Sequence, residues 1–223
     1  MLEEYLNIDD VFQPPFFQVI VLTAQFEQDI ITPPLKRRGT QHVIQLVDSQ
    51  LFPGPYKVCG GRLHPVYRLY PDTQKAFIDP KAFGSVSHVP VPSRIPQNPE
   101  QGLRGVRVAV KDNFHLKGWK TSLCNQAYYD TYPPRERTAE CLERLERMGA
   151  VIIGKVKMTS FAVWEEPYEC IDFEAPWNPR ADGFQSPGGS SSGSAAAVGA
   201  YDWVDFAIGS DSVLSFLHLL MEN

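Results

Sequence analysis

The sequence predicts an α/β fold, a mixed sheet flanked by helices, with a β-leaning N-terminal extension before it. Three consecutive stretches carry this prediction. GVRVAVKDNF, from residue 105, alternates like a strand; TAECLERLERMGA, from 138, has helical spacing; and AVIIGKV, from 150, is typical of a short buried strand. Strand, helix and strand in this order favour at least partly parallel pairing.

The first predicted strand leads directly into polar residues. Val106, Val108 and Val110 recur at period two, and Ala109 between them is small enough to be buried on the other face. The strand therefore ends at Lys111, at one edge of the predicted sheet.

The helix predicted from residue 138 has clear boundaries. Leu142, Leu145 and Met148 fall on one face, with charged residues opposite. Thr138 is the expected N-cap, and Gly149 is the expected C-terminal stop.

A Gly/Ser-rich segment, QSPGGSSSGSAAAVGA, follows at residues 185–200. It precedes another strand candidate, VDFAIGS from 204, so it lies between core elements and is not expected to be a flexible linker. Its glycines permit a tight turn into a helix at 194–198, and such a turn presents backbone N–H groups to an anion or oxyanion.

Two kinds of site fit this turn, a phosphate cradle and a serine site. The phosphate loop of nucleotide-binding proteins needs a Lys that does not follow Gly193. An ordinary serine triad needs a His and an Asp, and neither stands close in the sequence. A serine site here therefore requires a different base.

The first half of the chain predicts an extension and a linker. Strand candidates there are FFQVIVLTA at 16–24, HVIQLVD at 42–48 and VYRLY at 66–70. Residues 1–86 are predicted to be an extension of unknown role. The Pro-rich stretch 87–102 is predicted to be an extended linker, and residues 103–223 to be the second domain.

Composition excludes several classes of protein. The chain has 21 Lys and Arg against 26 Asp and Glu, a net charge of -5 and no block of like charge, so nucleic-acid binding is not expected. It has no apolar run of membrane length and no secretory leader, which predicts a cytoplasmic protein without a membrane span. Cys59, Cys124, Cys141 and Cys170 form no CxxC pair, so reduced thiols are expected.

Three motifs together resemble the amidase signature family. GVRVAVKDNF, GAVIIGKVKMTSFA and PWNPRADGFQSPGGSSSGSAAAVGAYDWVDFAIGSD occur in the family's order over residues 104–212, with Ser192 where the family most often has Gly. The resemblance implies an amidase-signature-type fold and hydrolysis of carboxamide carbon–nitrogen bonds by a Ser, cis-Ser, Lys triad. It further implies a small-molecule amide substrate and no metal or organic cofactor.

The resemblance assigns roles to three residues. Lys111 matches the family's lysine, and Ser190 matches the bridging serine, whose peptide bond with Gly189 is expected to be cis. Counting four residues from Asp211 places the nucleophile at Ser215. For Lys111 to act as a base, burial must lower its pKa from the usual value near 10.4.

After Asp211 the chain reads SVLSFLHLLMEN, where the family continues with a glycine-rich turn that forms the oxyanion hole. We therefore expect a truncated N-terminal portion of an amidase, with doubtful activity and poor solubility. The alternatives are a non-catalytic pseudoenzyme or interaction module, a nucleotide site at the turn, and, for Lys111, an exposed cation paired with Asp112. The amide substrate and the oligomeric state stay open.

Overall fold

The computed structural model describes residues 6–22, 36, 39–46, 51, 54–78, 88–95, 102–163 and 172–211. The predicted nucleophile Ser215 and the thiol of Cys170 lie outside these ranges. Within them, the strands are β1 (Val19–Leu22), β2 (His42–Gln45), β3 (Tyr56–Cys59), β4 (Arg62–Pro65), β5 (Tyr67–Pro71), β6 (His88–Pro92), β7 (Arg107–Lys111), β8 (Val151–Val156) and β9 (Phe206–Ile208). The helices are α1 (Gln126–Thr131), α2 (Glu140–Arg147) and α3 (Ser192–Ala200).

The central sheet has the order β8-β7-β9, and both strand pairs are parallel. Every residue of β7 is buried, as expected for a parallel strand covered on both faces. The predicted α/β architecture is confirmed, and the three strands and both helices predicted for this region are present.

The two faces of β7 pack against different helices. Ala109 belongs to a cluster with Ala196 of α3, whereas Val108 and Val110 pack in a second cluster with Leu142 of α2. The alternation read from the sequence is therefore confirmed, and it defines an α3 side and an α2 side of the sheet.

Strand β8 contains a bulge opposite the middle of β7. Ile152 pairs with Val108, but the next β7 residue, Ala109, pairs with Gly154. Ile153 is the extra residue of the bulge, because β8 advances by two residues where β7 advances by one.

The bulge changes the side on which the following residues lie. Lys155 pairs with Val110 and lies on the α2 side, while Val156 pairs with Lys111 on the α3 side. The sheet consequently separates the side chains of Lys111 and Lys155.

Helix α2 begins one residue later than the predicted cap. Ala139 is the N-cap, because the Thr138 hydroxyl accepts a hydrogen bond from the backbone N–H of Lys117 at 3.0 Å instead of capping the helix. The N-cap prediction was therefore wrong. Gly149 has a φ of +92°, which suits the predicted stop, and Met148 is exposed although it falls on the predicted apolar face.

The first 95 residues contribute small two-stranded sheets. β1 and β2 pair in parallel, β3 and β4 form a hairpin, and β5 pairs with β6 in antiparallel fashion. Strands β1 and β2 fall within the predicted strand segments, and β5 overlaps the segment 66–70 and extends one residue beyond it. The hairpin was not predicted, although Gly60-Gly61, with φ of +57° and +73°, is a recognised hairpin turn sequence.

The structure describes residues 88–95 of the Pro-rich stretch, and strand β6 (His88–Pro92) within them is extended and contributes to the core. Val89 and Val91 of β6 are buried, and they pack in the same cluster as Ile153 and Ala109. The predicted linker therefore covers the α3 side of the sheet, and the boundary between the predicted domains stays a prediction.

An ionic contact joins the N-terminal segment to the start of β7. The Arg107 guanidinium is fully buried, with Nη2 2.5 Å from Asp10 Oδ1 and 3.5 Å from Asp9 Oδ1. Asp9 also accepts a hydrogen bond from the backbone N–H of Arg94 at 2.9 Å. This contact lies at the opposite end of β7 from Lys111.

Candidate active site

Lys111 and Ser190 meet at the carboxyl end of β7. Lys111 Nζ donates a hydrogen bond to Ser190 Oγ at 2.6 Å and a second one to the backbone oxygen of Ser210 at 3.0 Å. The exposed fractions are 0% for Lys111 and 2% for Ser190. Two residues 79 positions apart in the sequence are thus in direct contact away from solvent.

The turn that carries Ser190 is fixed by backbone contacts. The Gly189–Ser190 peptide bond is cis, as the resemblance implies, and the Ser190 carbonyl accepts a hydrogen bond from Thr159 N at 3.1 Å. Gly193 N donates to the carbonyl of Lys157 at 2.9 Å. A Cβ at Gly193 would lie 2.4 Å from Lys157 N, so only glycine permits this approach.

That contact also weakens the nucleotide hypothesis for the turn. A phosphate cradle uses unpaired N–H groups at the start of a helix. Here the Gly193 N–H, which lies in the first turn of α3, already donates to the Lys157 carbonyl and is therefore not available to a phosphate.

Ser210, just after β9, links the strand ends of the site. Its hydroxyl accepts a hydrogen bond from Asn113 Nδ2 at 2.8 Å, and its carbonyl accepts one from Ser191 Oγ at 3.1 Å. The sequence prediction did not include these three residues. A signal was present in the sequence, because polar residues that directly follow parallel strands meet at one edge of the sheet.

Burial lowers the pKa of Lys111 to about 8, while the nearby Asp211 carboxylate and Cys124 oppose this effect. No carboxylate among the described residues lies within ion-pair distance of Lys111. The amine is therefore set to lose its proton within the range in which a general base operates.

Asp112 pairs with a different lysine. Its Oδ1 lies 2.6 Å from Lys155 Nζ, and its Oδ2 accepts a hydrogen bond from Ser122 N at 2.7 Å. Lys155 Nζ also donates to the Asp112 carbonyl and to Thr121 Oγ1, both at 3.0 Å. The alternative in which Lys111 is an exposed cation paired with Asp112 is wrong, because Lys155 occupies that carboxylate.

The described cysteines are not joined to one another by disulfide bonds. Cys59 and Cys141 are exposed, and Cys124 is buried, with its Sγ accepting a hydrogen bond from Met158 N at 3.2 Å. In the ranges that the structure describes, no group of His, Cys, Asp and Glu side chains is arranged to hold a metal ion. None of the helices in those ranges is long and apolar enough to cross a bilayer.

Known proteins are similar to about half of this chain. A glutamyl-tRNA(Gln) amidotransferase subunit of Sulfurisphaera tokodaii is 40% identical over 116 residues, which are 52% of this chain and 24% of that protein. The corresponding protein of Natronomonas pharaonis is 44% identical over 110 residues, 49% of this chain and 25% of that protein. The chain thus spans about a quarter of the length of these curated relatives.

Among solved structures, the glutamyl-tRNA(Gln) amidotransferase subunit of Thermotoga maritima is 32% identical, with a TM-score of 0.49. The match covers 63% of this chain and 28% of that one. The family model for amidases matches residues 90–213, more than half of the chain and the whole region that builds the Lys111 and Ser190 contact. The chain belongs to the amidase family.

Proposed function

We propose that the protein hydrolyses the carbon–nitrogen bond of small carboxamides, with Lys111 as the base and Ser190 as the proton relay. The observation that carries this proposal is the 2.6 Å contact between Lys111 Nζ and Ser190 Oγ, buried and without a carboxylate within ion-pair distance of the amine among the described residues. A lysine in such surroundings is readily deprotonated, which a base requires.

The reaction uses a second serine as nucleophile. Its oxygen attacks the amide carbonyl carbon while its proton passes to Ser190 Oγ, and the Ser190 proton passes to the neutral amine of Lys111. The relay then runs in reverse and protonates the departing ammonia or amine. Water, deprotonated through the same relay, releases the carboxylic acid from the acyl-enzyme. Ser215 is our prediction for the nucleophile.

The pKa of Lys111 sets the pH dependence of this reaction. With a pKa of about 8, on the order of a tenth of the molecules hold a neutral Lys111 at pH 7. The acylation rate is therefore expected to rise with pH and to level off above pH 8.

The curated relatives are named amidotransferases, which suggests a second candidate function: the released ammonia is transferred to an acceptor molecule. The net charge of -5 favours hydrolysis, or delivery through a partner protein, over direct binding of tRNA by this chain. Release of free ammonia from a small amide, measured with and without an acceptor, separates the two fates.

A serine-directed fluorophosphonate probe tests the relay. We expect the 223-residue chain to be labelled at a single serine, identified by peptide mapping, with a rate that rises between pH 6 and pH 8. Lys111→Met and Ser190→Ala should reduce this rate by about 10²–10⁴-fold, since general-base assistance is lost. Lys57→Met, in the exposed hairpin, serves as the control and should label at the wild-type rate.

Three outcomes argue against the proposal. Labelling that continues unchanged in Lys111→Met shows that this lysine is not the base. A folded chain that is not labelled at any serine supports the non-catalytic interaction module instead. Thermal stabilisation by a nucleotide would favour the nucleotide site.

A further inference from the structure

We propose that Lys155 is a positioning residue that holds the Asp112 carboxylate away from Lys111, so that the Lys111 amine keeps Ser190 as its partner. This inference rests on the proposed role of Lys111 as base. It assigns a task to a buried ion pair that the reaction itself does not use.

Asp112 directly follows Lys111 in the chain, so its carboxylate is tied by the backbone to within a short distance of the Lys111 amine, although it leaves the strand on the other side. A buried carboxylate needs a cation and hydrogen-bond donors to offset its desolvation. If Asp112 lacked these partners, Lys111 would be the nearest alternative along the chain. An ion pair with Lys111 would favour the protonated amine, which cannot act as a base.

Lys155 and Ser122 supply those partners from the opposite side. Lys155 Nζ lies 2.6 Å from Asp112 Oδ1 and 3.0 Å from the Asp112 carbonyl oxygen. The backbone N–H of Ser122 occupies Oδ2 at 2.7 Å, and the Ser122 hydroxyl donates to the same oxygen. Both carboxylate oxygens are thereby engaged, and the exposed fractions of the Lys155 and Asp112 side chains are 3% and 1%.

The sheet keeps the two amines apart. Lys111 lies on the α3 side, where Ser190 is, whereas the bulge in β8 places Lys155 on the α2 side with Val110. Lys155 can neutralise Asp112 there without competing for Ser190.

Other charged and titratable groups also act on the two amines. Asp211 follows β9 and, with Cys124 from the loop after β7, raises the pKa of Lys111 against the effect of burial. Burial lowers the pKa of Lys155, Asp112 and Cys124 raise it, and Arg135 lowers it further. The main influences on the pKa of Lys111 are burial, Asp211 and Cys124, and Asp112 is not among them, as the proposal requires.

The test is a direct titration of Lys111 by NMR in protein labelled with ¹³Cε-lysine. The Lys111 signal is assigned as the one missing from Lys111→Met. In the wild-type chain we expect a pKa of about 8. In Lys155→Met it should rise by about 1 unit or more, because an unneutralised carboxylate then acts on the amine. In the double variant Lys155→Met/Asp112→Asn it should return to the wild-type value.

Each outcome decides the proposal. An unchanged Lys111 pKa in Lys155→Met, or a raised pKa that persists in the double variant, overturns it. If Lys155→Met does not fold, Lys155→Gln replaces it, since an amide keeps a donor for the Asp112 carbonyl without the charge. The titration needs no turnover, so a rise in pKa in a chain that no serine probe labels would support this inference and refute the proposed function.

Discussion

Lys111 and Lys155 lie on neighbouring parallel strands, are both buried, and have opposite surroundings. Lys155 has a carboxylate at 2.6 Å and three further oxygen partners, whereas Lys111 has a serine hydroxyl and one backbone carbonyl. Burial lowers the pKa of both amines; the Asp112 charge opposes this effect at Lys155, and the Asp211 and Cys124 charges oppose it at Lys111. The same residue type thus has an ion-paired carboxylate at one position and a serine hydroxyl at the other, as the proposed base requires.

The comparison teaches that burial alone does not define a reactive lysine. Lys111 differs from Lys155 in two ways. No described carboxylate forms an ion pair with it, and its amine contacts a serine hydroxyl. Three experiments test this difference between the two lysines, in order of decreasing expected effect on stability.

Lys155→Met removes the buried ion pair with Asp112. It leaves the buried Asp112 carboxylate unpaired, so we expect the free energy of unfolding in urea to fall by about 3–5 kcal/mol. Arg144→Met, which removes the exposed pair with Glu140, should change it by less than about 1 kcal/mol. Lys111→Met at pH 7 should be at least as stable as the wild type. A loss as large as that of Lys155→Met would mean that the two lysines have the same role.

The contribution of Lys111 to folding stability should depend on pH. Its pKa is about 8 in the folded chain and 10.5 in the unfolded chain, so between these values the unfolded state binds more protons. The contribution of Lys111 to the free energy of unfolding therefore increases as the pH rises from about 8 to 10.5. Below pH 8 this gain is absent, because the amine is protonated in both states.

The size of that effect is measured against Lys111→Met. The stability of the wild type relative to this variant should rise by about 3 kcal/mol between pH 7 and pH 10.5, as seen in urea unfolding at each pH. Other groups, including Lys155, titrate in both proteins and cancel. A difference that stays constant with pH would show that the Lys111 pKa is unshifted.

Gly193→Ala disturbs the Lys111 side and leaves the Lys155 side intact. The added methyl would lie 2.6 Å from the Lys157 carbonyl oxygen and 2.7 Å from that of Ala76, which moves the turn carrying Ser190. We expect a loss of about 1–3 kcal/mol and slower serine labelling. Gly102→Ala, with open space around the new methyl, is the matched control. If Gly193→Ala is labelled at the wild-type rate, the turn tolerates the added methyl group without loss of reactivity.

Much of the central fold could be predicted from the sequence because its signals are local. The valine alternation around Ala109 indicated the strand and its two faces, and the spacing of Leu142 and Leu145 indicated helix α2. The contact between Lys111 and Ser190 was predicted from the family resemblance, since no local pattern joins residues 79 positions apart.

The features that escaped prediction depend on tertiary contacts. Thr138 has the residue type of an N-cap, but the backbone N–H of Lys117 takes its hydroxyl. The β6 strand was hidden by its prolines, and it forms because Val89 and Val91 fill the core. The ion pair of Lys155 had one sequence signal, a lysine within the apolar strand AVIIGKV, but its partner could not be identified without the register of the sheet.

The bulge at Ile153 has a consequence for how the chain selects its pairing during folding. If β8 continued without it from the Ile152 and Val108 pair, Lys155 would fall directly opposite Lys111. Two ammonium groups would then be buried side by side on one face, and Asp112 would lose its counter-ion. Val156 would also leave the α3-side cluster in that alignment, so both charge and packing favour the bulged ladder.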